Sequence, residues 1–213
     1  MSENSGATDR SAVIRATLER VSAANVSDAW GKHPSLHGIR ALIPGSHICG
    51  PAVTVRTYPG DYQKPVEAID VCQAGDVLVC DAANSYPAIW GELATHCAMF
   101  KRIAGLVVWG AIRDTPDITE AGFAAFSSLV CADAGEPRGL GEINGRITIA
   151  GQTIDPGDWV IGDDDGVVVL PKAQAEEIAV AALAVFERET GMRKQIDAGK
   201  SLAEVNYHMA QNS

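Results

Sequence analysis

The residue types best suited to chemistry lie at the two ends of one segment, from Gly91 to Asp114. Gly91 and Glu92 open a run with helical character, and Arg113 and Asp114 follow an apolar run typical of a buried strand. The first N–H groups of a helix attract anions, and an arginine fork can bind a carboxylate through two hydrogen bonds. Carboxylates such as Glu92 and Asp114 are hard oxygen ligands of the kind that Mg²⁺ or Mn²⁺ accepts. The segment therefore indicates a site for a small anion beside a divalent cation.

Both ends of this segment fall where α/β proteins place their ligands. The pattern predicts a helix over residues 91–103 that leads into a strand over 105–109, with a turn over 110–114. Ligands of α/β sheets bind at the carboxyl ends of strands and at helix N-termini. Taken singly, Glu92 could complement the helix dipole and the arginine–aspartate pair could be a structural ion pair. Their joint placement on one helix–strand unit favours a functional site.

The remaining pattern predicts one α/β domain over residues 1–213, with residues 1–9 disordered because they are small and polar. Apolar residues at helical spacing predict helices, and alternating or β-branched runs predict strands. The predicted helices cover residues 10–21, 22–30 and 66–73, and the predicted strands cover residues 48–57, 76–80 and 121–132. Residues 143–170 predict a β-meander because short apolar runs alternate with turn residues. Residues 172–200 predict a long C-terminal helix, of a kind that tends to pack on a neighbouring subunit.

Three other polar features have both a functional and a structural interpretation. His96 lies four residues after Glu92 and could join it on a transition metal, but an exposed or hydrogen-bonded histidine is favoured. Arg138, in a glycine-rich loop over 135–141 that we expect to be mobile, is favoured as a solvated charge over a substrate clamp. The aspartates at 163–165 could hold a metal, yet three carboxylates in a turn are commonly turn formers, and that interpretation is favoured.

Composition narrows the class of partner. The chain has 17 Lys and Arg against 27 Asp and Glu, a formal charge of −10, which disfavours nucleic-acid binding. No segment has the length and apolarity of a membrane span, and the polar first residues do not resemble a signal peptide, so we expect a cytoplasmic protein. The five cysteines are widely spaced without a Cys-x-x-Cys pair, which predicts small, reduced core residues instead of a disulfide framework or zinc site.

The spacing of Glu92 from Arg113-Asp114 resembles that of class II pyruvate aldolases that cleave 4-hydroxy-4-methyl-2-oxoglutarate, which share a fold with the RraA-like regulators of ribonuclease activity. Further similarity lies in the stretches 50–55, 105–114 and 163–169. The resemblance covers roughly residues 25–200. It implies an α/β fold in which a layered α-β-β-α core resembles the swivelling phosphohistidine-type domains, and a homotrimer or homohexamer with sites between subunits.

The resemblance also implies a role for each matching residue. Asp114 would bind Mg²⁺ or Mn²⁺ directly, and Glu92 would act through a water on the metal. The backbone around Gly91, Glu92, Leu93 and Ala94 would hold the carboxylate of a 2-oxo acid, and Arg113 would contact its keto or enolate oxygen. Glu189 of a neighbouring subunit would reach the metal shell. The family's best-known members place an aspartate where this chain has Glu92.

These roles imply metal-dependent cleavage of a 4-hydroxy-2-oxo acid through a pyruvate enolate, with oxaloacetate decarboxylase side activity. Within the central segment only Lys101 is a lysine, and it falls at the far end of the predicted helix, so nothing suggests a Schiff base. The alternative is a non-catalytic regulator that binds a ribonuclease or helicase, because the fold is shared. A related lyase that forms the same enolate from a different substrate is a third possibility.

Overall fold

A computed structural model describes residues 3–210 of the chain. The helices are α1 (Glu3–Leu18), α2 (Ala23–Ala29), α3 (Gln63–Val71), α4 (Glu92–Phe100), α5 (Thr115–Ala121), α6 (Ala175–Asp197) and α7 (Leu202–Ala210). The strands are β1 (Arg40–Ala41), β2 (Ile48–Thr57), β3 (Val77–Asp81), β4 (Gly105–Ile112), β5 (Ala125–Val130), β6 (Gly141–Ile143), β7 (Ile147–Ile149), β8 (Gln152–Ile154), β9 (Trp159–Asp163) and β10 (Gly166–Leu170).

The main sheet has the strand order β1-β5-β4-β3-β2-β9-β10, with β6 paired to β2 outside this path. Strands β2 to β5 are parallel, whereas β1, β6, β9 and β10 pair with antiparallel neighbours. Parallel neighbours need crossover connections, and helices α3, α4 and α5 supply them. The carboxyl ends of β3 and β4 therefore lie at one edge of the sheet, where the predicted site residues follow β4.

Strand β2 belongs to both halves of this sheet. Residues 48–51 pair with β9, and residues 52–56 pair with β3. At the changeover, a Cβ on Gly50 would fall 2.2 Å from the carbonyl oxygen of Gly75. No side chain fits at that distance, so the crossing of the two sheet halves depends on a glycine.

Three apolar clusters separate four layers. The first packs α3, α4 and α5 on one sheet half, through residues such as Ile69, Ala98 and Ile118. The second fills the space between the two sheet halves, with Phe126 and Val160 among its buried members. The third packs α1, α2 and α6 on β9 and β10. This arrangement confirms the predicted α-β-β-α order and the long C-terminal helix.

Several predicted boundaries were wrong. Residues 3–9, expected to be disordered, belong to α1, and residues 1–2 lie outside the described part of the chain. Strand β4 continues to Ile112, through residues 110–112 that we assigned to a turn. The N-cap of α2 is Ser22, whose side chain forms a reciprocal capping box with Asn25.

The C-terminal third differs in detail from its prediction. Within the expected β-meander, β7–β8 and β9–β10 are hairpins, but β6 pairs with the distant strand β2. Helix α6 runs through Gly191 and is followed by α7, which was not predicted. None of the helices within residues 3–210 combines the length and apolarity needed to cross a membrane.

The five cysteines are all free, but only three of them are core residues. Cys49, Cys72 and Cys80 are buried, and burial raises the pKa of the Cys49 and Cys72 thiols to about 12. Cys97 is exposed and Cys131 is half-buried, so the prediction of five core cysteines was wrong for these two.

Candidate active site

The start of α4 and the end of β4 meet at a contact between Gly91 and Asp114. The Asp114 carboxylate lies so close to the backbone of Gly91 that a Cβ there would be 2.4 Å from Oδ2. Gly91 has an extended backbone, with φ −157°, so its conformation alone does not require glycine. The restriction comes from the Asp114 carboxylate, which would have to move for a side chain to fit at residue 91.

Asp114 reaches this position through an unusual backbone conformation. Its φ of 55° and ψ of 38° are left-handed, which aspartate tolerates better than most residues. Although Asp114 is the first residue before α5, its side chain does not cap that helix. It turns to α4, where Oδ2 accepts a hydrogen bond of 3.1 Å from the Glu92 N–H. The carboxylate thus complements the positive end of the α4 dipole.

The same helix start keeps free donors. The Glu92 N–H binds Asp114, and the Thr95 N–H binds the Gly91 carbonyl oxygen at 3.1 Å. The N–H groups of Leu93 and Ala94 make no hydrogen bond to any residue within 3–210. Two adjacent unpaired N–H groups at a helix start are suited to one carboxylate, as the resemblance implied.

Arg113 completes the cluster. Its backbone N–H binds the carbonyl oxygen of Trp90 at 3.0 Å, which fixes the end of β4 beside the segment that precedes α4. Its Nε lies 3.4 Å from Asp114 Oδ2, and its side chain is 42% exposed. Because the guanidinium has further N–H donors, it can bind a second anion while it contacts Asp114.

These residues border a cavity of about 260 Å³. The polar part of its wall consists of Glu92, Arg113 and Asp114. The rest is apolar or glycine, and its larger members are Tyr62, Val66, Ile89, Trp90 and Leu93. All of the predicted substrate-binding residues, Gly91, Glu92, Leu93, Ala94 and Arg113, therefore lie on one small cavity. Whether they bind a substrate stays a prediction.

Glu92 and Glu189 have different surroundings. Glu92 Oε1 lies 3.1 Å from Nε2 of His96, one helical turn later, and the His96 side chain is 60% exposed, so the expectation of an exposed histidine is confirmed. Glu189 is on α6, which packs on the other sheet half, and its Oε2 accepts a hydrogen bond of 2.9 Å from Asn25. Within one chain Glu189 is not brought to the cavity, and its proposed role in a neighbouring subunit stays a prediction.

The carboxylates at the cavity fit a divalent cation of the Mg²⁺ type. Asp114 Oδ1 accepts no hydrogen bond from the residues whose side chains the structure describes, and the Asp114 side chain is 34% exposed. The described residues contain no group of three or more His, Cys, Asp or Glu side chains arranged for a metal. Mg²⁺ commonly keeps several waters and takes only one or two protein carboxylates. The donor set of Asp114 and Glu92 therefore suits Mg²⁺ or Mn²⁺ better than a fully protein-bound metal.

Asp61 is a buried structural residue that supports the cavity wall and that the sequence did not indicate. Its carboxylate is 1% exposed and accepts hydrogen bonds from the N–H groups of Gln63, Arg138, Gly139 and Leu140, at 3.1, 3.0, 3.3 and 2.7 Å. Burial acts to raise the pKa of Asp61, but these four donors outweigh it and lower the pKa. The carboxylate fixes the glycine-rich loop that we expected to be mobile. An Asx turn before α3 was the available signal.

The loop held by Asp61 continues the cavity wall. Residues 61 and 136 form an isolated parallel bridge, as do residues 88 and 134, and Ala134 and Gly135 border the cavity. Arg138 is not part of the wall, because its guanidinium pairs with Glu136 at 3.0 Å. These contacts join segments far apart in sequence, which explains why no local pattern indicated them.

The aspartates at 163–165 act as turn formers, as favoured. Asp163 accepts hydrogen bonds from the N–H groups of Ala23 and Asp165, at 2.8 and 3.0 Å. Both oxygens of Asp164 accept the Gly45 N–H. These contacts fix the turn to α2 and to the segment before β2. The three carboxylates do not converge on one position where they could bind a common ion.

The chain belongs to the RraA-like family. The family profile, described as Aldolase/RraA, matches residues 23–169. An uncharacterized protein of Methanocaldococcus jannaschii is 32% identical over 191 residues, which cover 88% of this chain and 91% of that protein. The predicted family resemblance is therefore confirmed.

Similar proteins carry two different functional names. A protein of Halalkalibacterium halodurans named "Putative 4-hydroxy-4-methyl-2-oxoglutarate aldolase" is 38% identical over 141 residues, 66% of this chain and 67% of that one. The solved structure of an unusual member of the RNase ES inhibitor RraA protein family from Streptomyces coelicolor has a TM-score of 0.78 and 28% identity. That match covers 85% of this chain and 97% of the other. Family membership alone does not decide between catalysis and inhibition.

The contact between Gly91 and Asp114 predicts a coupled stability effect. Gly91→Ala places a Cβ against the carboxylate, so we expect it to lower the free energy of unfolding by about 2 kcal/mol. In an Asp114→Ala background the carboxylate oxygen is absent. Gly91→Ala should then lower the free energy of unfolding by about 0.5 kcal/mol or less. Urea unfolding of the four variants measures this difference. Equal costs in both backgrounds would contradict the steric explanation.

The buried Asp61 carboxylate predicts a pH-dependent effect. Asp61→Asn keeps the shape of the side chain but places an amide NH2 group beside backbone N–H donors. We therefore expect the free energy of unfolding to fall by about 2 kcal/mol at neutral pH. A lowered folded-state pKa gives stability that is present above the unfolded pKa of about 3.9 and is lost as pH falls through the folded value. The gap between the native protein and the variant should therefore narrow below pH ~4. Urea unfolding at several pH values tests this, and a gap independent of pH would contradict it.

Proposed function

We propose that this protein is a divalent-metal-dependent class II pyruvate aldolase that cleaves 4-hydroxy-2-oxo acids of the 4-hydroxy-4-methyl-2-oxoglutarate type. An oxaloacetate decarboxylase side activity belongs to the same proposal. The observation that carries it is the convergence of Arg113, Asp114 and the free N–H groups of Leu93 and Ala94 on one cavity. The aldolase name of the Halalkalibacterium relative supports it.

Each group has a role that follows from its position. The Leu93 and Ala94 N–H groups bind the carboxylate of the 2-oxo acid, and Arg113 donates to its keto oxygen. Asp114 Oδ1 and the Glu92 carboxylate, the latter through water, hold Mg²⁺ or Mn²⁺. When bound, this cation supplies Lewis-acid stabilisation of negative charge that develops on the substrate.

The cleavage step moves one proton and one electron pair. The C4 hydroxyl gives its proton to the Glu92 carboxylate, the C3–C4 bond breaks, and C4 becomes the carbonyl carbon of the released product. The electron pair of the broken bond forms the enolate of pyruvate, whose charge Arg113 stabilises. The proton then returns to C3, which yields pyruvate and restores the carboxylate. In oxaloacetate, loss of CO2 from C3 delivers an electron pair to the same enolate.

We also propose that the protein assembles as a homotrimer or homohexamer. The implied contribution of Glu189 comes from a neighbouring subunit, and α6 presents it away from the cavity of its own chain. A second copy is therefore required if Glu189 acts on the metal.

The regulator function is the second candidate, favoured by the similarity to the RNase ES inhibitor family. A protein that only binds a ribonuclease or helicase needs no carboxylate with a free oxygen beside an arginine in a cavity. The two candidates therefore differ in whether the protein turns over a small molecule.

A substrate panel with and without chelator tests the proposed reaction. We expect metal-dependent pyruvate release from 4-hydroxy-2-oxo acids and from oxaloacetate, and metal-dependent exchange of the methyl protons of pyruvate with D2O by NMR. Asp114→Asn removes a charged ligand, so all three activities should fall at least ~100-fold while the circular dichroism spectrum is kept. If the native protein shows neither exchange nor decarboxylation above free metal ion, the regulator function is the better explanation.

Replacement of Arg113 by lysine distinguishes the effect of its positive charge from the effect of its planar donor geometry. Lysine keeps the positive charge but lacks the planar set of donors, so Arg113→Lys should lower kcat/KM at least ~10-fold for aldol cleavage and decarboxylation alike. Both reactions share the enolate, which is why parallel losses are expected. Steady-state assays of both substrates measure this. A lysine variant as active as the native protein would mean that only charge matters at residue 113.

A further inference from the structure

The proposed substrate 4-hydroxy-4-methyl-2-oxoglutarate has two carboxylates, and the cavity beside Arg113 supplies positive charge for only one end of it. The 2-oxo acid end occupies Arg113 and the free N–H groups at the start of α4. Among the described residues that border this cavity, Arg113 is the only cation. A carboxylate that loses its hydration without gaining a partner is disfavoured. The second carboxylate therefore needs a donor that the cavity of one chain does not contain.

The face of α4 beside this cavity exposes large apolar side chains. Leu93, on the cavity wall, is 77% exposed, and Phe100, seven residues later, is 87% exposed. Residues seven apart lie on one face of a helix, and the exposed Cys97 lies between them. Apolar side chains exposed together mark a surface that another protein covers. Because the proposed assembly is a homo-oligomer, the expected occupant is a second copy of this chain.

A second cavity, of about 430 Å³, lies beside α2 and β10 on the other sheet half, and we call it the α2 cavity. Among the described residues that border it, Asp165 is the only carboxylate. No Asp or Glu occurs between Asp28 and Asp61, although the chain has a formal charge of −10. The α2 cavity therefore has basic side chains in an acidic protein. These basic side chains are Lys32, His33 and His37.

The segment that follows Lys32 is held in place. The ring of His33 stacks on Trp30 with centroids 3.7 Å apart, and its Nε2 lies 3.2 Å from Gln152 Oε1. The Gln152 amide also donates to the carbonyl oxygens of Pro34 and Ser35, at 3.1 and 2.8 Å. These contacts fix the backbone of residues 33–35, and so they fix the point from which the Lys32 side chain extends.

The Lys32 ammonium is accessible to a ligand. Its side chain is 84% exposed, and it lies 3.1 Å from Asp28 on α2. An exposed ion pair of this kind contributes little to stability, so a substrate carboxylate can replace Asp28 as its partner. The backbone of Lys32 is left-handed, with φ 62°. Lysine seldom adopts this conformation, and such strain is commonly kept at functional sites.

Helix α2 connects this cavity to the residue that the proposed function takes from a neighbouring subunit. Ala23, Ala24 and Ser27 of α2 border the α2 cavity. Asn25, between them, donates to Glu189 at 2.9 Å. A neighbour that brings Glu189 to the metal therefore brings the α2 cavity toward the same site. A closed ring of identical copies needs two different contact surfaces on each copy, and the α4 face and the α2 face fill that requirement.

We infer that Lys32 of one copy binds the second carboxylate of a 4-hydroxy-2-oxo dicarboxylate that is held by Arg113 and α4 of the next copy. This inference rests on the proposed function and adds a specificity-determining residue to it. The two carboxylates of the substrate are then bound by different subunits. Lys32 does not touch the C3–C4 bond that breaks, so it acts on the choice of substrate. The product released beside pyruvate is a second 2-oxo acid.

A matched pair of substrates tests the role of Lys32. In 4-hydroxy-4-methyl-2-oxopentanoate, a methyl group replaces the second carboxylate of 4-hydroxy-4-methyl-2-oxoglutarate. Lys32→Met keeps an unbranched side chain on the same left-handed backbone and removes the charge. It should lower the ratio of kcat/KM for the dianion to kcat/KM for the monoanion about 10-fold. Lys32→Arg should retain the ratio, as should Lys172→Met, which removes a lysine that borders neither cavity.

Mixed oligomers test whether Lys32 acts across an interface. Asp114→Asn and Lys32→Met chains with different affinity tags are co-expressed, and oligomers that contain both are isolated. One interface then joins an intact Asp114 to an intact Lys32, so cleavage of the dianion should be at least ~3-fold faster than in mixed Asp114→Asn and Arg113→Lys oligomers. In that control pair both changed residues belong to the same half of the site, and no complete site forms.

The outcomes separate the inference from the proposed reaction. An unchanged substrate ratio in Lys32→Met, no recovery in the mixed oligomers, or a monomer by light scattering would each overturn the inference. Pyruvate release by the native protein would then leave the aldolase function standing. If neither acid is cleaved, calorimetry with 2-oxoglutarate, which cannot undergo retro-aldol cleavage, decides. Binding at least ~10-fold weaker in Lys32→Met would support the contact and overturn the reaction, whereas unaffected or absent binding would overturn both.

Discussion

The close approach of the Asp114 carboxylate to the Gly91 backbone sets the geometry of the whole candidate site. A Cβ at residue 91 would displace this carboxylate, and Asp114 adopts a left-handed backbone to make the approach. It also joins the end of β4 to the start of α4, at the edge of the sheet where the carboxyl ends of β3 and β4 both lie. Arg113, one residue earlier, is thereby held at the same cavity. Strain of this kind persists only where surrounding contacts fix it, and it is commonly found at functional sites.

The four-layer core provides that fixation. The strands at the centre of the sheet are buried on both faces, by α3 to α5 on one side and by the second sheet half on the other. Strand β4 therefore cannot shift to relax its carboxyl end without disturbing two apolar clusters. The site lies on the edge of a rigid sheet, whereas its far wall is a loop that Asp61 ties down by four backbone hydrogen bonds. The cavity therefore lies between a buried sheet edge and a loop that hydrogen bonds hold in place.

The sequence predicted the parts of this arrangement that depend on local pattern. Strand β2 was predicted over its full length because Val53 and Val55 alternate with Thr54 and Arg56 in a β-rich run, and the Gly91–Asp114 unit was recognised from spacing. Neither the left-handed backbone of Asp114 nor the extended backbone of Gly91 was predictable. Both result from a contact between segments that lie 22 residues apart. Asp61 was missed for the same reason: its partners lie at 138–140. Pairing of β6 with β2 also depends on a long-range contact that no local periodicity encodes.

Asp61 and Asp114, two carboxylates near the cavity, differ in how fully their oxygens are hydrogen-bonded. This difference distinguishes a structural acid from a reactive one. Asp61 is buried and meets four N–H donors, which leave its charge fully compensated and its oxygens without a further task. Asp114 meets one N–H and one guanidinium on Oδ2, while Oδ1 accepts no hydrogen bond from the residues whose side chains are described, and the Asp114 side chain is partly exposed. A carboxylate held by one oxygen, with the other open to a cavity, keeps both a fixed position and a free ligand atom. That combination is what a metal or substrate site requires, and it is the physical reason to look for chemistry at Asp114 even though the fold also occurs in proteins that inhibit a ribonuclease.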